Sequence, residues 1–256
     1  MENCKIDLNK KIITFNRLSN ENIVNAFTLK PFDFSSKSKN IKNGEYKTLK
    51  DALGINLTTS KIIKPVQKHT SNVQIVDETN INNYFDNTDG LITNLKNVAL
   101  ATSLADCQGI LIYDPNNRVI GNVHSGWRGT LKRIVINAIH LMEEKFNSNP
   151  ADIEIYICPS ILKCCFEVDE DVEILFRNEF NDINIDEFIE SRNKTENQKF
   201  YIDTVGINRA ILMKEGVKAE NIITSNICTK CNSDKIHSYR ADGKNAGRNL
   251  SIIMQT

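Results

Sequence analysis

The chain has 256 residues, 40% of them hydrophobic and 25% charged, with 32 basic and 32 acidic side chains and a formal net charge of zero. That length is ample for a sizeable core, and the composition is that of an ordinary soluble globular protein. The neutral balance argues against steering toward nucleic acid or an anionic membrane, so neither is expected as a partner.

The opening MENCKIDLNKKIITF has no apolar run suited to a signal peptide, and no later run reaches membrane-span length, so the expected location is the cytoplasm. KIITFN and ENIVNAFTL read as early strands, followed by a polar loop, KPFDFSSKSKNIKNGEYK, that is the best candidate for a mobile segment. YKTLKDALGI reads as a short helix. IIKPVQ, NVQIV, GLITN, VALATS, GILIYD and VIGNVHS are short β-type runs bounded by turn residues, with DPNN as the turn between two of them. From Gly129, TLKRIVINAIHLMEEKF carries apolar residues at helical spacing and predicts one long helix. IEIYICPS is the next strand. FEVDEDVEILFRNEF and DTVGINRAILMKEG read as helices, NIITSN as a strand, and KIHSYRADGKNAGRNLSIIM as a final hairpin turning near Gly243. Strands dominate early and alternate with helices later, which predicts a mixed α/β protein in a single domain over residues 1–256.

Seven cysteines in a reducing compartment point to free thiols, ligands or nucleophiles rather than disulfides. Cys107 lies in a short loop between two strands, and His69 and His124 each close a strand. Two imidazoles and a thiolate are a ligand set for catalytic zinc, which takes three protein ligands and keeps a fourth position open. Their wide spacing requires a folded scaffold to gather them, and the alternative is a buried free cysteine with two ordinary histidines. After His124, the run Ser125-Gly126-Trp127-Arg128-Gly129-Thr130 leads into the long helix. A helix start binds anions, Gly126 admits a ligand to the backbone, and Arg128 offers a fork of donors for phosphate. The alternative is a tight turn with Trp127 as core filling and Arg128 in a surface pair. Arg240 is a second candidate cationic contact, and Asp106 and Glu167 are candidate acids or bases. His140 is expected to be solvated and His237 to be a structural hydrogen-bonding residue. Cys228 and Cys231 form C-x-x-C but are read as buried thiols, and the adjacent Cys164 and Cys165 as poorly placed to share an ion.

Several stretches together resemble the YfiH or laccase-domain family: VQKH, DGLITN, SLADCQGILIYD, VHSGWRGT, CPSILKCCFEV, NICTKC, SYRADG and AGR, in order across residues 66 to 248. The resemblance implies a layered α/β/β/α fold with mixed sheets and a zinc site made by His69, Cys107 and His124, with copper the older attribution. It implies phosphorolysis of adenosine, inosine and S-methyl-5'-thioadenosine to a free base and a ribose 1-phosphate, with adenosine deamination beside it. The partners are then small molecules, a purine nucleoside and phosphate. An early S/T-T-R segment of the family corresponds here to FTLKPFDF, with Lys30 nearby and no glycine pair, and Thr70 stands where a glycine is common. Two other readings compete. One is a cysteine or zinc hydrolase acting on an amide of a cell-wall (peptidoglycan) precursor, with Cys107 and His124 as nucleophile and base. The other is a copper-dependent polyphenol oxidase, disfavoured because four histidines are too few for several copper centres.

Overall fold

The computed structural model describes residues 3–20, 23–35, 44–56, 58–192 and 198–256. Positions 36–43 of the polar loop expected to be mobile lie outside them. The strands in chain order are β1 (Cys4–Asp7), β2 (Ile12–Phe15), β3 (Ile23–Thr28), β4 (Lys61–Ile63), β5 (Val73–Ile75), β6 (Gly90–Thr93), β7 (Val98–Leu104), β8 (Gln108–Asp114), β9 (Val119–Ser125), β10 (Glu154–Ile157), β11 (Glu167–Val168), β12 (Ile189–Ser191), β13 (Phe200–Ile202), β14 (Ile222–Thr224) and β15 (Asn249–Gln255). They build two six-stranded sheets, ordered β1-β2-β3-β15-β7-β4 and β14-β10-β8-β9-β6-β5, and a small sheet β11-β13-β12. The pairing is mixed: β4 with β7, β5 with β6 and β10 with β14 are parallel, the rest antiparallel.

The alternation of side chains along the central strands explains the layering. In β8, Leu111 and Tyr113 enter the core between the two large sheets, whereas Ile110 and Ile112 face the opposite side. In β15, Ile253 joins the core between the sheets, and Leu250, Ile252 and Met254 face outward under Leu49. Leu49 belongs to helix α2 (Glu45–Leu53), which follows the short α1 (Asn16–Asn20). Three apolar layers therefore separate helix, sheet, sheet and helix, giving the expected α/β/β/α arrangement. Thr102, Asn122 and Ser251 cross-link the two sheets inside this core, with Thr102 Oγ1 2.7 Å from Ser251 Oγ and 3.1 Å from Asn122 Oδ1. Such a buried network holds register because each of its polar groups finds a partner.

Several elements differ from the sequence reading: β1, β12 and β13 were not read as strands, and the run expected to be a strand up to His69 ends at Ile63, leaving His69 in the loop before β5. The long helix expected from Gly129 is two helices, starting earlier at Trp127: α3 (Trp127–Leu131) and α4 (Ile134–Phe146), separated where Arg133 adopts φ 52°. Arg133 pairs there with Glu179 and Asp182 and lies over the Phe180 ring, partners a continuous helix would not reach. Phe166 to Phe180 is a strand, β11, followed by helix α5 (Glu170–Glu179) rather than one helix. The segment after Lys235 is not a hairpin: a short helix, α7 (Tyr239–Asp242), replaces its first arm. Ser238 caps α7 by accepting from the Ala241 N–H at 3.2 Å, and β15 instead pairs with β3 and β7 in the middle of the first sheet. The other predicted helix of this half, α6 (Thr204–Lys214), forms with Asp203 as its cap. Among the described residues no helix is long and apolar enough to cross a membrane.

Candidate active site

Two chain crossings between the large sheets make the site. Residues 105–107 carry the chain from β7 in one sheet to β8 in the other, and the loop before β5 carries it from β4. Gly109 of β8 lies opposite His124 of β9 in the ladder, so Cys107 and His124 reach the same end of the second sheet. His69, on the other crossing loop, has φ 58°. The ligand atoms of His69, Cys107 and His124 all lie within 4.8 Å of one another, and His69 Nε2 stands 3.9 Å from Cys107 Sγ. The scaffold thus gathers the three residues that sequence spacing left apart.

Gly126 leaves the room for this. A Cβ at that position would come 2.9 Å from His69 Cδ2 and 3.1 Å from Cys107 Sγ, closer than the first contact can bear. Its importance is therefore space beside the candidate ligands, more than backbone access for phosphate.

Asp89 organises the cluster, and the sequence reading assigned it no role. Its fully buried carboxylate accepts from His124 Nδ1 at 2.8 Å, from Thr70 N and Thr70 Oγ1 at 2.7 Å each, and from Lys68 N and His69 N at 3.1 Å each. One carboxylate therefore orients His124 and folds the loop that bears His69. Burial alone would raise its pKa, but the bonds from His124 and Thr70 hold it below the usual carboxylate range. Thr70, the departure from a common glycine, supplies two of those bonds. The signal that could have found Asp89 was DGLITN, a carboxylate immediately before a buried strand.

Burial also works against charge on Cys107 and His124, yet their mutual attraction prevails. Cys107 is drawn down to about 6 by His124 and His69, and His124 is raised to about 9 by Cys107 and Asp89. A thiolate, two imidazoles and a carboxylate bound to the far nitrogen of one of them fit a dication well. That donor set suits zinc, and the Asp89–His124 pair is the outer support metal-bound histidines use.

The cluster opens into a cavity of about 1250 Å³ lined by Trp127, Phe166, Tyr239, Arg240 and Arg248 among others. Arg240 Nη1 donates to the carbonyls of Cys165 at 3.1 Å and Glu167 at 3.0 Å, which sets the guanidinium in the wall. Arg128, exposed like Arg240, is placed differently: it is stacked 4.0 Å over the Trp127 ring and is not among the cavity-lining residues. Lys30 donates to the Ser233 carbonyl at 2.7 Å, away from the lining. Asp106 accepts from Thr229 Oγ1 and from the Arg240 backbone N–H, both at 2.6 Å, and Glu167 accepts from the Tyr201 hydroxyl. Of the remaining histidines, His140 pairs with Glu215 at 2.6 Å rather than being simply solvated, and His237 Nε2 reaches the Phe32 carbonyl at 2.9 Å. Cys164, Cys165, Cys228 and Cys231 form a second cluster, against the expectation that adjacent Cys164 and Cys165 are poorly placed to share an ion; of the two cysteines read as buried thiols, Cys228 is buried and Cys231 exposed.

The profile of the family described as multi-copper polyphenol oxidoreductase laccase matches residues 34–256. The chain belongs to this laccase-domain family. A purine nucleoside phosphorylase of Bacillus subtilis, YlmD, is 37% identical over 65% of this laccase-domain chain, and the match spans only 58% of that relative's length. An adenosine deaminase, RL5, from an unknown prokaryotic organism is 31% identical over 80% of this chain and 79% of its own. The crystal structure of Bacillus licheniformis YfiH superposes with a TM-score of 0.88 over the whole of both chains at 24% identity, so the laccase-domain fold is the shared feature there.

Proposed function

We propose that the chain is a zinc-dependent purine nucleoside phosphorylase that takes adenosine, inosine and S-methyl-5'-thioadenosine with phosphate, and deaminates adenosine as a side activity. The observation that carries this reading is the convergence of His69, Cys107 and His124 on a cavity whose wall holds Arg240 and Arg248. The names of the phosphorylase and deaminase relatives agree with it.

His69, Cys107 and His124 would hold the zinc ion, with copper the alternative occupant. When bound, zinc supplies a Lewis-acid positive charge for an oxygen at the reacting centre. Asp89 keeps His124 in the tautomer that offers its far nitrogen to the cluster. Trp127 and Phe166 give apolar walls against which a purine can pack, and the guanidinium groups attract phosphate. In the reaction an oxygen of hydrogen phosphate bonds to the ribose C1′ while the bond from C1′ to the purine nitrogen breaks, and the departing base takes up the proton that the phosphate gives up. Cationic side chains held rigidly in the wall stabilise the phosphate charge without reorganising.

The Cys107–His124–Asp89 alignment also suits a cysteine hydrolase acting on an amide, with Cys107 attacking and His124 moving the proton. Metal occupancy separates the two, because a thiolate committed to zinc is a poor free nucleophile. The test compares wild type with Cys107→Ala for zinc content and for adenine release from adenosine, with and without phosphate. Zinc-dependent, phosphate-dependent adenine release that the substitution abolishes is expected. Wild type without zinc and without nucleoside turnover would sink the phosphorylase and favour the hydrolase.

A further inference from the structure

Behind the cavity wall lies the second cluster of soft ligands. Cys164 and Cys165 sit in a turn closed by the N–H groups of Cys165 and Phe166, which both donate to the Leu162 carbonyl at 2.9 Å. That turn bends the chain sharply enough for two adjacent sulfurs to face one point. Cys228 and Cys231 come from a second turn, 66 positions away in the case of Cys165 and Cys231. The two turns are joined by a backbone bridge between Ser160 and Cys228, and by the Thr229 N–H donating to the Ser160 carbonyl at 3.0 Å.

The sulfur spacing discriminates among the chemistries four cysteines can support. Sγ of Cys231 is 3.4 Å from that of Cys165 and 3.8 Å from that of Cys164, and all four sulfurs lie within 4.8 Å of one another. A tetrahedral ion with Zn–S bonds of about 2.3 Å sets its sulfurs about 3.8 Å apart. An iron–sulfur cluster gives its thiolates separate irons and so spreads them further. The shortest pair is also far beyond a bonded disulfide.

We propose that Cys164, Cys165, Cys228 and Cys231 form a second, structural metal site that takes one zinc ion through four thiolates. Binding displaces the thiol protons to solvent and involves no change of oxidation state. With four protein ligands the site is closed, so its role is to pin two turns together rather than to do chemistry. Both turns carry groups that build the cavity wall: the Cys165 carbonyl holds Arg240, and Thr229, next to Cys228, holds Asp106. The ion would therefore fasten the wall that faces His69, Cys107 and His124 from behind. The site is independent of the reaction proposed above.

The test uses the full chain purified anaerobically. Cys107→Ala removes a ligand from the first cluster, and Cys164→Ser/Cys231→Ser changes two exposed positions of the second. Native mass spectrometry with elemental analysis is expected to give one zinc per chain in Cys107→Ala and none when the three substitutions are combined. Cobalt added to metal-free Cys107→Ala is expected to show the intense thiolate-to-metal absorption of a tetrahedral four-sulfur site. In wild type, peptide-resolved maleimide labelling of Cys164 and Cys231 is expected to be slow, and fast after chelation, which reads the site without any substitution. Cys107→Ala that binds neither zinc nor cobalt, or Cys164 and Cys231 that label as fast before chelation as after, would overturn the proposal. So would a disulfide between Cys231 and Cys164 or Cys165 in the anaerobic protein.

Discussion

The Asp89 carboxylate stands 2.8 Å from His124 Nδ1 and at the same time accepts three successive backbone N–H groups from the loop that bears His69. One side chain thus couples two candidate ligands that lie on different crossings of the chain. Asn at this position keeps the shape but has a single acceptor oxygen. Asp89→Asn is expected to weaken zinc affinity at the first cluster about 10- to 100-fold, as loss of an outer-shell partner does, and to cost about 2–3 kcal/mol of stability at neutral pH. The native pKa of Asp89 is depressed, so its contribution is present above the unfolded value near ~3.9 and disappears as pH falls through the lower native value. Urea unfolding of both proteins should therefore show a constant gap above about pH 5 that narrows in acid. A gap that widens in acid would exclude this role.

Gly126→Ala tests whether the first cluster needs the open space beside it. The added methyl would meet His69 Cδ2 at 2.9 Å and Cys107 Sγ at 3.1 Å, so one of them must shift. Displacement of a reacting group by a fraction of an ångström to an ångström costs about 10²-fold in rate. Nucleoside turnover should fall by that order with the melting temperature nearly unchanged, and zinc content should fall with it. Full activity in Gly126→Ala would place the reaction elsewhere.

The thiolate–imidazolium pairing makes a prediction for protein stripped of metal. Cys107 is lowered to about 6 and His124 raised to about 9, so the charged pair spans the interval between them. Iodoacetamide labelling of Cys107 should rise with a midpoint near the lower value, and in His124→Ala the midpoint should move up toward the ordinary thiol range near ~8.5. The stability that Cys107 adds is lost as pH falls through about 6, and the stability that His124 adds is lost as pH rises through about 9. Melting of the stripped protein is then highest between those limits. An unshifted labelling midpoint in His124→Ala would remove the ion pair from consideration.

The strands were legible because GILIYD and VIGNVHS are short apolar runs bounded by turn residues, and both are strands in the fold, buried on both faces between two apolar layers so that no alternation shows in the sequence. His124 was legible at a strand end and Cys107 in a short loop between strands, and both are found there; His69 was read as closing a strand but lies in the loop between β4 and β5, and only the two crossing loops bring the three together. Asp89 was not legible, because three of its five partners are backbone N–H groups and the side-chain partner His124 lies 35 positions away, so DGLITN alone did not show what the carboxylate holds. The cysteine cluster was missed because adjacency argues against shared ligation until a turn bends the chain, as it does at Leu162. The helix break at Arg133 was hidden because the apolar spacing continues across it, and its cause lies in Glu179 and Asp182, distant in sequence.

Arg128 was the first candidate for phosphate and Arg240 a second cationic contact, and their surroundings separate them. Both are exposed, but Arg240 lines the cavity and is tied there by two carbonyls, while Arg128 is stacked over Trp127 outside the lining. Arg240→Ala should raise the KM for phosphate about tenfold or more, the order expected when one charge-assisted hydrogen bond is lost. Arg128→Ala should change it less than about twofold, since an exposed stacking contact contributes little. Initial rates over a phosphate series decide it, and the reverse ranking would move the phosphate to the start of α3.

Asp106 adjoins Cys107 and lines the cavity, so a proton-transfer role is the obvious alternative to a structural one. Its two carboxylate oxygens are each occupied at 2.6 Å, one by Thr229 Oγ1 and one by the Arg240 N–H, and its backbone sits at φ 82°. Both oxygens therefore act as acceptors that hold neighbouring elements in place. Asn tolerates positive φ better than other non-glycine residues and can keep one of these bonds. Asp106→Asn is accordingly expected to raise KM several-fold while leaving both limbs of the pH–rate profile where they are in wild type. A general acid or base would instead take one limb with it, and loss of a limb in Asp106→Asn would reassign Asp106 to the chemistry.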